Sequence, residues 1–294
     1  MTTKGGDSDA RTHTGRSTDH RDRGIEGGRK EDPVTPYVVA GRGWIATAEQ
    51  VPGYPALRRM THARVSPALR RRLDSQVAWT TECLELLWRH AERTYVSFSG
   101  GKDSAVLLHL CRTLRPDTEA ALILETEGAL PAVHQAADWW RTAGGVTVHE
   151  YVWGSLIDSY QKNGRPILPI GQITAWAQEQ GFAGCIRGLR ADESKGREAH
   201  AYTHAPVRDC AGFWVADPLI WWSTDEVWAY HALHGIPYAD VYDREDGTPR
   251  DRRRVGSPWG ILCAEHGRIV RLKQFDHELY SRFAREVPEV RQWS

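Results

Sequence analysis

The chain has 294 residues, enough for one large domain or two small ones, with 40% of them apolar. Lysines and arginines number 38 and so do aspartates and glutamates, so no global field favours nucleic acid or an anionic membrane. No segment has the length of a membrane span and the N-terminus lacks the apolar stretch of a secretory signal, so the expectation is a cytoplasmic protein.

Five cysteines (Cys83, Cys111, Cys185, Cys210, Cys263) are dispersed with no C-x-x-C pair. That argues for a reducing compartment, and against a disulfide framework or a structural zinc site. The 13 tryptophans read as core and interface packing rather than as base-stacking groups.

Residues 1–36 are rich in Gly, Asp, Thr, Arg and Lys with almost no apolar residue, and are expected to be a disordered tail. Either a partner-binding tail or an inert extension fits. Tyr37 to Ile45 reads as a short extended or hairpin element broken by Gly41 and Gly43. Val51 to Leu73 carries Arg58, Arg59, Arg64, Arg70, Arg71 and Arg72 without an acid. These arginines suit either phosphate contact or the solvated face of a short helix.

Leu69 to Ala91 has helical spacing, with Leu73, Val77, Trp79, Leu84, Leu87 and Trp88 on the packing side. Tyr95, Val96 and Phe98 then form a short β run that stops at Ser99-Gly100-Gly101. A helix follows with Val106, Leu107 and Leu110 on one face, and Asp103 or Ser104 is its expected N-cap. Two glycines let a ligand come close, successive N–H groups point into one concavity, and the helix end adds partial positive charge. Ser99, Lys102 and Ser104 add donors, so an oligophosphate fits. A Walker A loop needs a glycine where Val96 stands and a Ser or Thr where Asp103 stands, so this is a different phosphate loop.

Ala120 to Glu125 is a continuous apolar run that ends in an acid, as expected of a buried parallel strand. Thr126 and Glu127 follow at its carboxyl end, where ligands sit in doubly wound sheets. Pro131 to Ala143 reads as a helix, Val146 to Val152 as a strand, Ser155 to Ile170 as a loop with a short helix, Ile173 to Gln180 as a helix, and Phe182 to Ile186 as a strand. Alternating strands and helices imply a parallel sheet with crossover helices. The last strand runs into Arg187-Gly188-Leu189-Arg190-Ala191-Asp192-Glu193-Ser194-Lys195-Gly196-Arg197, at the same sheet edge as the first loop. Arg190, Lys195 and Arg197 suit anionic oxygens, and Glu193 suits holding the arginines or helping bind Mg²⁺. Further on, Ser223 or Thr224 caps a helix with Asp225 and Glu226 in its first turn, and Gly235 ends it.

Ser99-Gly100-Gly101-Lys102-Asp103-Ser104 resembles the SGGxDS pyrophosphate loop of the PP-loop ATP pyrophosphatases. Gly188, Leu189, Arg190, Glu193, Ser194 and Arg197 resemble the G-[LI]-R-x-x-E-S-x-x-R signature of the phosphoadenylyl-sulfate reductase and ATP sulfurylase small-subunit branch. Asp217-Pro218-Leu219, Trp222, Asp225 to Tyr230 and Ile236-Pro237-Tyr238 are similar to a third stretch of that branch. The resemblance covers roughly residues 75–245.

The resemblance implies an adenine nucleotide α-hydrolase-like, doubly wound α/β fold (Rossmann-like). The expected domain spans 37–245, with its core at 75–245, and a C-terminal helical extension over 246–294 closes the site. It implies ATP with Mg²⁺ as ligands and scission of the α–β phosphate bond. Candidate nucleotide-binding residues are Ser97, Ser99, Gly100, Gly101, Lys102, Asp103, Ser104, Thr126, Gly188 and Arg190. Candidate catalytic residues are Lys102, Asp103, Arg190 and Arg197, with Asp103 also the candidate Mg²⁺ ligand.

After Tyr242 the pattern weakens. Asp243 to Arg254 is a polar loop, and Ser257-Pro258-Trp259-Gly260 stands where relatives often carry paired cysteines. An iron–sulfur cluster needs about four thiolates, so none is expected. Cys263-Ala264-Glu265-His266 shares only a Cys-x-x-His spacing with the reductases' terminal motif. Cys263 is read as a buried small residue, with a His266-activated thiol as the alternative. Val270 to Pro288 reads as a closing helix.

Three functions remain open at this level. One is an adenylyl-transferring enzyme of sulfur metabolism or sulfur modification, of which DNA phosphorothioation is one form, acting on a small-molecule or nucleic-acid acceptor with a possible partner subunit. The others are a thiol-dependent phosphoadenylyl-sulfate reductase and a non-catalytic nucleotide-binding subunit.

Overall fold

The computed structural model describes residues 37–163, 167–243, 253, 255, 273 and 277–293. The expected N-terminal tail, most of the polar loop after Asp243, the Ser257–Gly260 stretch and Cys263–His266 lie outside the described residues.

The chain opens with an antiparallel meander of β1 (Tyr37–Gly41), β2 (Trp44–Val51) and β3 (Tyr54–Val65), to which β10 (Tyr238–Ala239) adds on the far side of β3. The hairpin expected over 37–45 is therefore only the first part of a four-stranded sheet. Of the six arginines read as phosphate contacts or a helix face, Arg70, Arg71 and Arg72 are helical and the other three sit on β3: Arg59 stands opposite Glu49, Arg64 opposite Ile45, and Arg58 donates to the carbonyls of Pro55 and Leu57. The helix starts only at Pro67, whose ring suits the first helical position but disfavours helical backbone in the residue before it. Ser66 caps it, its hydroxyl accepting from Leu69 N–H at 3.3 Å. This α1 (Pro67–His90) buries Leu69, Leu73, Leu84 and Leu87. Of the residues expected on its packing side, Val77 and Trp88 are half-buried and Trp79 is exposed, because it falls off the leucine stripe.

The second sheet has the order β6-β5-β4-β7-β9-β8. Its strands are β4 (Thr94–Phe98), β5 (Glu119–Leu124), β6 (Val148–Val152), β7 (Gly184–Arg187), β8 (Val207–Asp209) and β9 (Trp214–Ala216). All are parallel except β8, which pairs antiparallel to β9 at the edge. β8 and β9 are three-residue strands, too short to carry a periodic signal, and no expectation covered them. From β4 the chain runs outward through β5 and β6, then returns to the other side of β4 as β7 and β9. Helices cover both faces. Val96 and Phe98 join the main core with α1, α2 (Lys102–Leu114) and α7 (Thr224–His234). Tyr95, Ala121, Cys185 and Val215 face the other way, onto Phe182 and Ala177 of α5 (Ile170–Glu179). The sheet is doubly wound, as expected.

The remaining helices are α3 (Pro131–Thr142), α4 (Leu156–Asn163), α6 (Lys195–Thr203), α8 (His277–Glu286) and α9 (Val290–Trp293). Two motifs read from the sequence take the form expected. Ser223 and Glu226 close a capping box on α7, and Gly235 ends that helix in the left-handed region. α8 buries Leu279 and Phe283.

Candidate functional site

Reversal of strand order between β4 and β7 leaves a crevice at their carboxyl ends, the place where doubly wound sheets bind ligands. Both sequence motifs meet there. The first leaves β4 at Ser99, turns at Gly100 and enters α2 at Lys102. The N-cap is Gly101, two or three residues before the expected Asp103 or Ser104, and no side chain caps it. Ser104 instead folds back over the turn. Its hydroxyl donates to the Gly101 carbonyl at 3.0 Å and accepts from Ser99 N–H at 3.2 Å.

Gly100 has φ +70°, and a Cβ there would lie 2.9 Å from the Val133 Cα. Only glycine meets both demands, so α3 packs directly on the turn.

The second motif leaves β7 and lies against the first. A Cβ on Gly188 would approach the Asp103 carbonyl carbon and the Ser104 nitrogen, each at 3.2 Å. Two residues on, Arg190 reaches into the loop, its Nε 2.7 Å from Oδ1 of Asp103. The other carboxylate oxygen of Asp103 is 2.7 Å from Nζ of Lys102. At its far end Arg190 binds Asp192 at 2.8 Å, the Trp222 carbonyl at 3.3 Å and the Thr224 hydroxyl at 3.1 Å. Positive and negative groups thus alternate along Lys102, Asp103, Arg190 and Asp192. Burying such charges is tolerable only because each has an opposite partner.

The placements differ in part from a simple picture of cations facing solvent. The side chains of Lys102 and Arg190 are 0% and 1% exposed. Arg197 pairs with Glu193, and Ser194 caps α6, its hydroxyl accepting from Arg197 N–H. Arg190 and Arg197 therefore take separate partners and Lys195 is exposed, whereas Glu193 does hold an arginine. Ser99 is exposed and Ser97 half-buried, opposite Ala121 and Arg187 in register. Thr126 is exposed at the rim. Its neighbour Glu127 turns inward, accepting from the Leu156 and Ile157 N–H groups at 3.0 and 3.1 Å and from the Ser155 hydroxyl. It is an anchor for the start of α4.

Two further contacts close the loop. The Lys102 N–H meets the Tyr242 hydroxyl at 3.3 Å, and the Lys102 carbonyl meets Nε2 of His231 at 2.9 Å. Tyr242 and His231 lie far along the chain, and the sequence alone marks neither as a site residue.

A second charged cluster at the same edge was missed. Asp217, at the end of β9, takes a bidentate pair from Arg187 at 2.8 and 2.7 Å. Arg208 adds a contact at 2.9 Å and His200 one at 3.3 Å. Burial alone would raise this carboxyl's pKa. The bonds and charge of Arg187, then of Arg208, outweigh burial and hold it below its ordinary value. The folded state thus binds this proton more weakly than the unfolded chain. Its stabilisation is present above the ordinary aspartate pKa of about 3.9 and is lost as pH falls through the lower folded value. Acid unfolding of an Asp217→Asn variant should show a shallower loss of stability below about pH 3.9. An acid limb identical to the parent's would contradict this account of the cluster.

Among the described residues no group of three or more His, Cys, Asp or Glu could hold a metal ion. Cys83, Cys111 and Cys185 are buried, and burial pushes the Cys83 and Cys185 thiols up to about 11. Cys210 is exposed, but in the β8–β9 hairpin next to Trp214, at the opposite end of the sheet from the crevice. Cys263 lies outside the described residues.

Sheet order and glycine turn together define an α/β protein of the PP-loop class. The chain belongs to the phosphoadenosine phosphosulfate reductase domain family, whose model matches residues 93–258. Among curated proteins it is similar to a phosphoadenosine 5'-phosphosulfate reductase of Xanthomonas campestris pv. campestris (strain B100), at 26% identity over 194 residues, 59% of this chain and 73% of the relative. An adenosine 5'-phosphosulfate reductase of Halalkalibacterium halodurans is 31% identical over 85 residues, 28% of this chain and 32% of the relative. Among solved structures, a phosphoadenylyl-sulfate reductase from Candida auris in a phosphate complex aligns with 61% of this chain and 92% of its own. Its TM-score is 0.42 and its identity 16%. A Candida glabrata FMN adenylyltransferase with FAD and inorganic pyrophosphate aligns at TM-score 0.46 and 14% identity, over 59% and 60% of the two chains. Among the described residues no helix is long and apolar enough to cross a membrane.

Proposed function

We propose that the chain binds an adenine nucleotide at the β4–β7 crevice, cleaves or forms its α–β phosphate bond, and adenylates an acceptor in sulfur metabolism or sulfur modification. The observation that carries this reading is the union of the two motifs: Gly188 packed on Asp103 and Ser104, and Arg190 ion-paired to Asp103.

The loop's donors are lightly held. Gly101 N–H reaches the Ser99 hydroxyl at 3.4 Å, and Lys102 N–H reaches Tyr242 at 3.3 Å. Both bonds are long and therefore weak, so phosphate oxygens would replace those acceptors at small cost. Ser99 and Ser104 hydroxyls flank the same turn. Lys102 and Arg190 would share their charge between Asp103 and the arriving phosphates. As the α–β bond breaks, negative charge gathers on the bridging and leaving oxygens, and donors already in place there lower the barrier. Arg197 would serve the α phosphate or the acceptor.

The described residues do not fit a magnesium cage. Both oxygens of Asp103 are engaged by cations and Glu193 is paired with Arg197, so Mg²⁺ would be held chiefly by the nucleotide's own phosphates. No step here depends on it.

The test is product analysis of labelled ATP with candidate acceptors. AMP and pyrophosphate, or an adenylated acceptor, are expected. ATP that binds but never turns over with any acceptor would sink the catalytic reading and leave a binding subunit.

The names of the curated relatives favour a second reading, reduction of a phosphosulfate nucleotide by a thiol. Its thiol would be Cys263. Sulfite release that persists unchanged in Cys263→Ala would rule that thiol out.

A further inference from the structure

A cavity of about 390 Å³ opens beside the buried charge chain, on the Asp192 side of Arg190. Asp192, Ser194, Lys195 and Glu198 form one wall, and Trp221 and Ser223 form the other. This space is distinct from the glycine turn, and the charge chain separates the two.

Its aromatic content is unusual for this molecule. Trp222 and Trp228 are 1% exposed, as core tryptophans should be, whereas Trp221 is 40% exposed. Tyr202 of α6, 74% exposed, tilts against the Trp221 ring with centroids 5.2 Å apart. On α1, Gln76 donates to the Trp221 carbonyl at 3.2 Å. One turn later on the same stripe stands Trp79, 36% exposed. These rings lie outside the core, whereas the sequence alone assigns the tryptophans to core and interface packing.

Cations border the same patch. One turn before Gln76, Arg72 approaches Glu226 at 3.5 Å with its side chain still 57% exposed. Glu226 also accepts from the N–H of Ser223, in the cavity wall, at 2.7 Å. Lys195 is exposed on the opposite wall. Exposed aromatic faces flanked by long cations are the chemistry that holds unpaired nucleic acid: bases stack, and the backbone follows the positive charge. The cavity volume suits one base. Glu198 supplies an acceptor for a base amino group.

We propose that this cavity takes an unpaired base of single-stranded nucleic acid against Trp221, with the phosphate backbone along Arg72 and Lys195. Its role as the acceptor subsite rests on the function proposed above; strand binding itself does not.

The experiment is fluorescence anisotropy of the full chain with short labelled single-stranded DNA, single-stranded RNA and duplex DNA across a salt series. ATP binding is measured in parallel. Binding of a single strand in preference to duplex is expected, and the DNA and RNA arms identify which polymer is taken. Trp221→Ala should weaken it about 10-fold while Trp221→Phe retains it, since stacking needs only an aromatic face. Arg72→Gln should lower the salt slope by about one ion. ATP affinity should stay unchanged in all three variants. A parent chain that binds ATP but no single strand overturns this inference alone. So does a Trp221→Ala variant with unaltered strand affinity, or a preference for duplex. A parent that binds strands but no adenine nucleotide overturns the function proposed above and leaves strand binding standing.

Discussion

Asp103→Asn is expected to lower stability by about 3–5 kcal/mol, the cost of removing one partner from a buried ion pair. Asparagine keeps the size of the side chain, so packing is little changed and the loss is electrostatic. Lys102 and Arg190 would lose the carboxylate they share, at 0% and 1% exposure. Arg190 keeps Asp192, which sets the loss nearer the lower end of that range. Denaturant unfolding of the variant checks this, and a shift under about 0.5 kcal/mol would place the pair among ordinary surface ion pairs. Phosphate should partly substitute for the missing charge. Inorganic pyrophosphate is therefore expected to stabilise the variant more than it stabilises the parent.

Gly100→Ala is expected to cut nucleotide affinity at least about tenfold, or about 1.4 kcal/mol. Two costs combine. An alanine at φ +70° occupies the left-handed region, at about 1–2 kcal/mol. Its methyl would also press on the Val133 backbone from 2.9 Å, and backbone yields less readily than a side-chain tip. Gly128→Ala separates the two costs, because Gly128 has φ +88° with nothing within 4 Å of an added Cβ. That variant should lose some stability and keep nucleotide binding. Equal binding defects in both would mean that close packing on the turn is irrelevant to the ligand.

The parallel sheet was readable from the sequence because its signals are local. Ala120 to Leu124 is a strand by continuous apolarity, and α1 shows its stripe of leucines. The glycine turn was readable because each residue type there answers a backbone or donor requirement. The antiparallel sheet was not, because β3 alternates imperfectly, with register shifts between Ile45 and Thr47 and between Gln50 and Val51 on its partner. Arg58, Arg59 and Arg64 looked like part of one helix face with Arg70, Arg71 and Arg72, and only pairing with β2 and β10 makes their segment a strand.

The site divides in the same way. Loop residues could be named in advance, but their partners could not. Asp103 stands between two cations only because Gly188 lets β7's exit close onto α2. Arg187 and Asp217 meet through strand order, thirty residues apart. Glu127 was read as part of the rim, yet its carboxylate serves the start of α4, a use that appears only once β5 and α4 are set side by side. Long-range charge pairing has no period to detect.

Calorimetric titration of the full chain with ATP, repeated in excess inorganic pyrophosphate, tests the central claim most directly. The account predicts saturable binding that pyrophosphate displaces and that Gly100→Ala weakens. Binding that ignores pyrophosphate, or no heat with any adenine nucleotide, would contradict it.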